Sequence, residues 1–153
     1  DGFTIGLTLS TYGILIMLVQ AGILPQLTKR FGDYKTLIFA SIAAVIGLLG
    51  FGFTTVAWAV VVVLPIAALS DMAPPLLTAF AANRVGEDQQ GLVQGVIASL
   101  ASVAAVAAPL VLTGVFEWFV NDEGVYFPGA PFIIAALLTI GIVPLLLRLR
   151  PIK

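Results

Sequence analysis

Long apolar runs broken by short polar clusters organise this chain. Residues 89–116 contain no Lys, Arg, Asp or Glu, and a helix of ~20 such residues crosses a bilayer. The pattern recurs along the sequence. An apolar run over residues 2–28 ends in a basic cluster, Lys29-Arg30-Phe31-Gly32-Asp33-Tyr34-Lys35. The charge-free stretch 36–70 is too long for one crossing. It divides best at Phe53-Thr54-Thr55-Val56-Ala57-Trp58, where threonines and an interfacial tryptophan interrupt the aliphatic residues. Polar loops at 83–90 and 117–129 bound the fourth run, and the fifth ends in Arg148, Arg150 and Lys153. The pattern predicts an all-α membrane protein with transmembrane helices at about 3–27, 36–54, 57–81, 90–116 and 130–147.

Periodicity within the fourth run predicts how its helix packs. At 100° per residue, Gly91, Gly95, Ala98, Ser102, Ala105 and Pro109 share one face, and Val93, Ile97, Leu100, Ala104 and Val111 the other. Lipid tails are as apolar as leucine, so helices in a bilayer gain by close backbone approach, which small residues permit. Gly91, Gly95 and Ser102 are therefore expected to pack on a neighbouring helix, with the branched face toward lipid. In the first run, Gly6, Ser10, Gly13 and Gln20 form a similar face.

Composition removes several classes of function. Apolar residues make up 60% of the chain and charged residues 10%, against ~45–50% and ~25% in soluble domains. The absence of Cys and His excludes disulfides, thiol nucleophiles and the usual zinc and haem ligands. No nucleophile–base pair or metal-ligand set appears, so neither an enzyme, a metal site nor a cofactor is expected. A net charge of −1 gives no reason to expect a nucleic-acid partner. The chain opens at Asp1 without an initiator Met or a basic leader, which reads as the middle of something longer rather than a signal peptide.

Charge then sets orientation. With five spans, all seven basic residues fall on one side: Lys29, Arg30, Lys35, Arg84, Arg148, Arg150 and Lys153. That side is expected to be cytoplasmic, with the N-terminus outside and the protein in the plasma (inner) membrane. Asp1, Glu117, Asp122 and Glu123 fall on the other side. Trp58, Trp118 and Tyr126 belong to the outer interface and Tyr34 to the inner one.

One ionisable side chain stands near the middle of a span: Asp71, in the third. Acids at that depth are costly and by default mark a cavity or a proton path. Pro65, Pro74 and Pro75 share its helix. Because proline removes a backbone donor, Pro74 and Pro75 free the carbonyls of Ser70 and Asp71. Interrupted helices at membrane depth are where transporters often bind substrate and ions, so the prolines are candidate hinges. The bland alternative is an acid that only caps the helix after the break. In the basic cluster, Gly32 supplies a tight turn, and Lys29, Arg30 and Lys35 suit the negative end of the preceding helix. They form either a topology anchor or an inner gating loop.

Two groups of residues carry a family likeness. Gln89-Gln90-Gly91-x-x-Gln94-Gly95, followed by Ser99-Leu100 and Pro109-Leu110, resembles the eleventh helix of tetracycline-efflux-type drug–proton antiporters of the major facilitator superfamily. The Lys29-to-Lys35 cluster is similar to that family's loop between helices eight and nine. It is a degenerate copy of the basic loop motif, with Pro25 in place of the leading Gly and Lys29 in place of the Asp. The resemblance implies that the chain is the last five of twelve helices, part of the C-terminal half of the bundle. It implies alternating access about a central site, with the third span lining the cavity and the second and fifth peripheral. It also implies an acid in the ninth helix, where this sequence has Ala43, Ala44 and Val45, leaving Asp71 as the available acidic group. The expected partners are the bilayer, missing N-terminal helices, a small-molecule substrate and protons. The alternatives are a non-transporting fragment or accessory subunit, or a superfamily member moving another metabolite.

Overall fold

The computed structural model describes residues 2–121 and 126–148. Asp1, Asp122, Glu123, Arg150 and Lys153 lie outside them. Among the described residues the architecture is all helical, with five helices long and apolar enough to cross a membrane.

The first is one continuous rod with a change of winding. Helix α1 (Gly2–Leu18) passes through a wider π turn (Val19–Ile23) into α2 (Leu24–Phe31). Across the π turn, the Leu24 N–H donates to the Val19 carbonyl, five residues back. Pro25 sits in the first turn of α2 and lacks the N–H that an α-helix would need there. The wider turn accommodates it.

Gly32 alone separates α2 from α3 (Asp33–Phe53). Its φ of 81° and ψ of 163° lie in a region open essentially only to glycine. The second span, α3, is at the centre of the chain's own contacts. Ala40, Ala43 and Gly47 are buried on it, and a Cβ on Gly47 would stand 3.4 Å from the Ala67 Cα of the next span.

The third span is two helices, α4 (Ala57–Ser70) and α5 (Ala73–Ala82). Pro65 lies inside α4, which continues through it. The interruption comes at Asp71 and Met72, and Pro74 and Pro75 fall in the first turn of α5, where a missing N–H costs no hydrogen bond. This break lies in the densest part of the bundle. Met72 and Ala68 are fully buried, in one cluster with Val19, Leu37, Ala40 and Leu76.

After a short 3-10 turn (Glu87–Gln89) comes α6 (Gln90–Asn121), followed by α7 (Ala130–Arg148). No residue of α6 whose burial is described is buried.

The two ends of the bundle differ in chemistry. One end carries aromatic pairs: Phe51 with Phe132 at 5.7 Å, Phe53 with Phe127 at 6.1 Å, and Phe119 with Phe127 at 6.5 Å. At the other end, the Tyr34 phenol donates to the carbonyls of Leu146 and Leu147 at 3.1 and 3.2 Å. These carbonyls belong to the last described turn of α7. Phe80 lies 6.1 Å from the Tyr34 ring, and the Arg84 guanidinium stacks 4.2 Å over Phe80. Lys29 and Arg30 in the last turn of α2, Lys35, Arg84 and Arg148 therefore all gather at this basic end.

Candidate functional site

The break in the third span leaves backbone groups that must find partners. The chain tightens as it passes through: the Asp71 N–H donates to the Ala68 carbonyl at 3.2 Å and the Met72 N–H to Leu69 at 3.4 Å. Helical bonding resumes with the Leu76 N–H to the Met72 carbonyl at 3.3 Å. The Asp71 carbonyl has lost its partner to Pro75, and the Gln20 side-chain amide reaches it from the π turn at 3.4 Å, a long bond. The Ser70 hydroxyl turns back onto the Ala67 carbonyl at 2.6 Å.

The Asp71 side chain has a partner on the same rod. The Tyr12 phenol donates to Asp71 Oδ2 at 2.5 Å, a length typical of a hydroxyl bonded to a carboxylate. One helix thus grips the break at two points eight residues apart, Tyr12 on the carboxylate and Gln20 on the backbone carbonyl. Asp71 makes no ion pair among the described residues. Tyr12 and Asp71 are also the only titratable side chains in residues 2–28 and 36–83. Any charge at mid-depth of the first three spans is therefore negotiated between these two groups.

Toward the aromatic end, Tyr12 lines a cavity of about 480 Å³. Thr8, Phe51, Thr54, Leu64 and Phe132 line it as well. The size falls within the range of small-molecule sites, and so does the mixture of apolar walls with a few hydroxyls. The Thr8 and Thr54 hydroxyls are already bonded to the carbonyls four residues back, at 2.8 and 2.6 Å.

The other residues singled out from the sequence lie elsewhere. Lys29, Arg30, Gly32 and Lys35 are at the basic end, with the Arg30 guanidinium 5.3 Å from the Phe31 ring. Among the described residues, the expected packing positions of α6, Gly91, Gly95 and Ser102, meet no other helix, and Pro109 of that face lines a pocket shared with Leu48 of α3 and Phe132 of α7. Nothing stands within 4 Å of where a Cβ on Gly91 or Gly95 would project, and Ser102 is exposed, bonded to the Ala98 carbonyl at 2.9 Å. Close approach needs a partner backbone, and the backbones that meet here belong to α3 and its neighbours. Sequence reasoning passed over Tyr12, although it is the only titratable residue of the first run.

These features define a multi-pass helical membrane protein in which an acid is held at an interrupted span. Comparison with known proteins then gives the relationship. The chain is 31% identical over 144 residues to the class C tetracycline resistance protein of Escherichia coli, covering 94% of this chain and 35% of that protein. It is 30% identical over 145 residues to the class G tetracycline resistance protein of Vibrio anguillarum, covering 95% and 36%. Hippocampus abundant transcript-like protein 1 of Rattus norvegicus is 26% identical over 143 residues, covering 84% and 28%. The chain spans about a third of the length of these curated relatives. No protein-family profile and no solved structure matches it. The likeness to tetracycline-efflux-type transporters of the major facilitator superfamily, drawn above from two motifs, extends over nearly the whole chain.

Proposed function

We propose that this chain is the C-terminal portion of a proton-coupled secondary transporter that exports a small molecule by alternating access. Asp71 is the acid that binds and releases the proton, and the adjoining cavity is part of the path for substrate. The observation that carries this reading is the acid itself: it sits at mid-depth, at a proline-made break in the most buried part of the bundle, beside that cavity. Two of these relatives are resistance proteins named for a drug, which supports a drug as cargo. The basic end faces the cytoplasm of the plasma (inner) membrane, with Lys29, Arg30, Gly32 and Lys35 in the inner gating loop. Pro74 and Pro75 form the hinge, with Pro65 in the rigid helix beside it. The small face of α6 is covered by helices from the two thirds of the relatives' length that this chain does not span.

The test is substrate efflux against an imposed pH gradient, in everted vesicles carrying the full-length protein. Tetracycline and a panel of uncharged aromatic drugs serve as cargo. Asp71→Asn imitates the protonated acid at nearly constant shape. It should insert normally and abolish uphill export, while downhill exchange survives. Unchanged uphill export by the Asn variant would make Asp71 a helix cap. The exposed small face of α6 also favours a second reading, an accessory subunit that docks on partner helices. Absence of export by the native protein for every cargo would support that reading.

A further inference from the structure

We propose that Tyr12 is the positioning residue that ties the protonation state of Asp71 to the shape of the cavity. The inference rests on the reading of Asp71 as the proton-binding acid. Its basis is that Tyr12 belongs to two structures at once. Its O–H bonds the carboxylate at 2.5 Å, and the residue lines the cavity.

The chemistry of the bond gives the direction of coupling. A hydroxyl donating to a carboxylate makes a charge-assisted bond, roughly twice as strong as a neutral one. When a proton adds to Asp71, the charge that strengthens this bond is gone, and the phenol is held less firmly. Gln20 bonds the backbone carbonyl of Asp71, which does not titrate, so that attachment persists. Protonation therefore loosens the rod at Tyr12 while its anchorage at Gln20 stays.

Among the described residues no other titratable side chain stands at this depth: α2 and α7, which also pack on the cluster at the break through Leu24, Leu27 and Leu146, carry Lys29, Arg30 and Arg148 in their last turns at the basic end. The elements packed around Asp71 are α1, the π turn, α3, α4 and α5. Tyr12 is the only titratable group they contribute at this depth; Asp33, Tyr34 and Lys35 stand at the basic end of α3. A molecule that packs against the Tyr12 ring favours the rotamer that bonds the carboxylate, and so favours the charged acid. Coupling of this kind is reciprocal: a proton on Asp71 weakens binding in the cavity by the same factor. Proton and cargo thus oppose each other's occupancy without touching a common atom, which is what exchange of one for the other requires.

The experiment reads the cavity wall directly. The chain contains no cysteine, so Thr8→Cys places a single thiol of this chain on the wall that also holds Tyr12. N-ethylmaleimide labels it in membranes carrying the full-length protein, with its other cysteines replaced, at one fixed pH. Rates are compared in four backgrounds: native, Tyr12→Phe, Asp71→Asn and the double variant. Losing the charge-assisted bond should raise the rate about threefold or more in each single variant. The double variant should match Tyr12→Phe, because once the phenol is gone the side chain at 71 has no bond to it left to weaken.

A raised rate in Asp71→Asn with a native rate in Tyr12→Phe would overturn the proposal. So would multiplying effects in the double variant, or native rates in all of them. Tyr12→Phe removes only an oxygen, and Asp71→Asn reports the same bond from the other side, so misfolding of one variant leaves the other decisive. The labelling does not depend on transport. If Asp71→Asn labels faster yet still exports uphill, the tether stands and the proton-coupling reading falls.

Discussion

Gly129 offers a sharp test of how the aromatic end is built. It stands just before α7, and its backbone lies against that of Gly52, near the end of α3. A Cβ added there would run into the Gly52 carbonyl oxygen, with the carbonyl carbon 2.7 Å and the Cα 3.0 Å away. Ordinary contact begins at 3.4 Å, so Gly129→Ala forces two backbones apart by well over half an ångström. Neither is free to move. The Gly129 carbonyl accepts the N–H groups of Phe132 and Ile133 at 3.1 and 3.2 Å, and Ala130 is buried. The Phe51–Phe132 and Phe53–Phe127 pairs bridge the same joint. Forcing extra volume into a well-packed site costs about 1–3 kcal/mol, and each disturbed ring pair about 0.5–1.5 kcal/mol. A total of about 3 kcal/mol corresponds to a roughly hundredfold loss in the folded-to-unfolded ratio. The assay is denaturation of the purified full-length protein in mixed detergent, with Gly114→Ala as control. Nothing lies within 4 Å of that second Cβ, and a helical Gly→Ala change stabilises by roughly 0.5–1 kcal/mol. Equal stability of the two variants would refute the close approach of α3 and α7.

Two further outcomes follow from the basic end. Tyr34→Phe removes the hydroxyl shared by the Leu146 and Leu147 carbonyls; with about 1 kcal/mol net per bond and water replacing part of it, hydrogen exchange at the end of α7 should quicken about fivefold, and an unchanged rate would leave Tyr34 as an interfacial aromatic only. Single cysteines at 33, 86 and 152 should resist a membrane-impermeant thiol reagent in intact cells while those at 121–124 react; labelling of position 86 from outside would overturn the orientation.

How much of this was legible in the sequence follows from which interactions are local. Five apolar runs and their polar boundaries are local properties of length and charge, and the five helices follow from them. The break at Asp71 was readable for the same reason, since the missing donors of Pro74 and Pro75 act on carbonyls four residues back. Pro25 was equally visible, but its effect was not, because a proline can kink a helix or be absorbed by a wider turn, and the surroundings decide. The sequence marks Tyr34 only as an interfacial aromatic. Its bond to α7, more than a hundred residues away, depends on how the helices are arranged. The small faces show the same limit. Gly91 and Gly95 have the spacing that close packing uses, yet the tight contacts here are at Gly47, Gly52 and Gly129. Spacing shows that a helix can be approached closely, not which helix approaches it.

The depth of the two backbone irregularities ties these points to function. Val19, the first residue of the π turn, is packed in the same buried cluster as Met72 at the break of the third span. The other departures from plain α-helix in the described spans, the 3-10 turn that opens the fourth and the prolines inside α4, α6 and α7, do not include a residue of this cluster, so the π turn and the break are the two defects that meet in the core. A regular helix resists bending because each turn is bonded to the next. A π turn and a proline break are the usual places where long helices change direction. In the proposed transporter, two such places at one level would let the basic halves of two spans tilt while the aromatic halves stay held by the glycine contacts of α3 and by tilted and edge-on ring pairs. Gln20 crosses between the two defects and Tyr12 stands two turns above, so a bend at this level shifts Tyr12 relative to Asp71. The position of Asp71 is thus as informative as its charge.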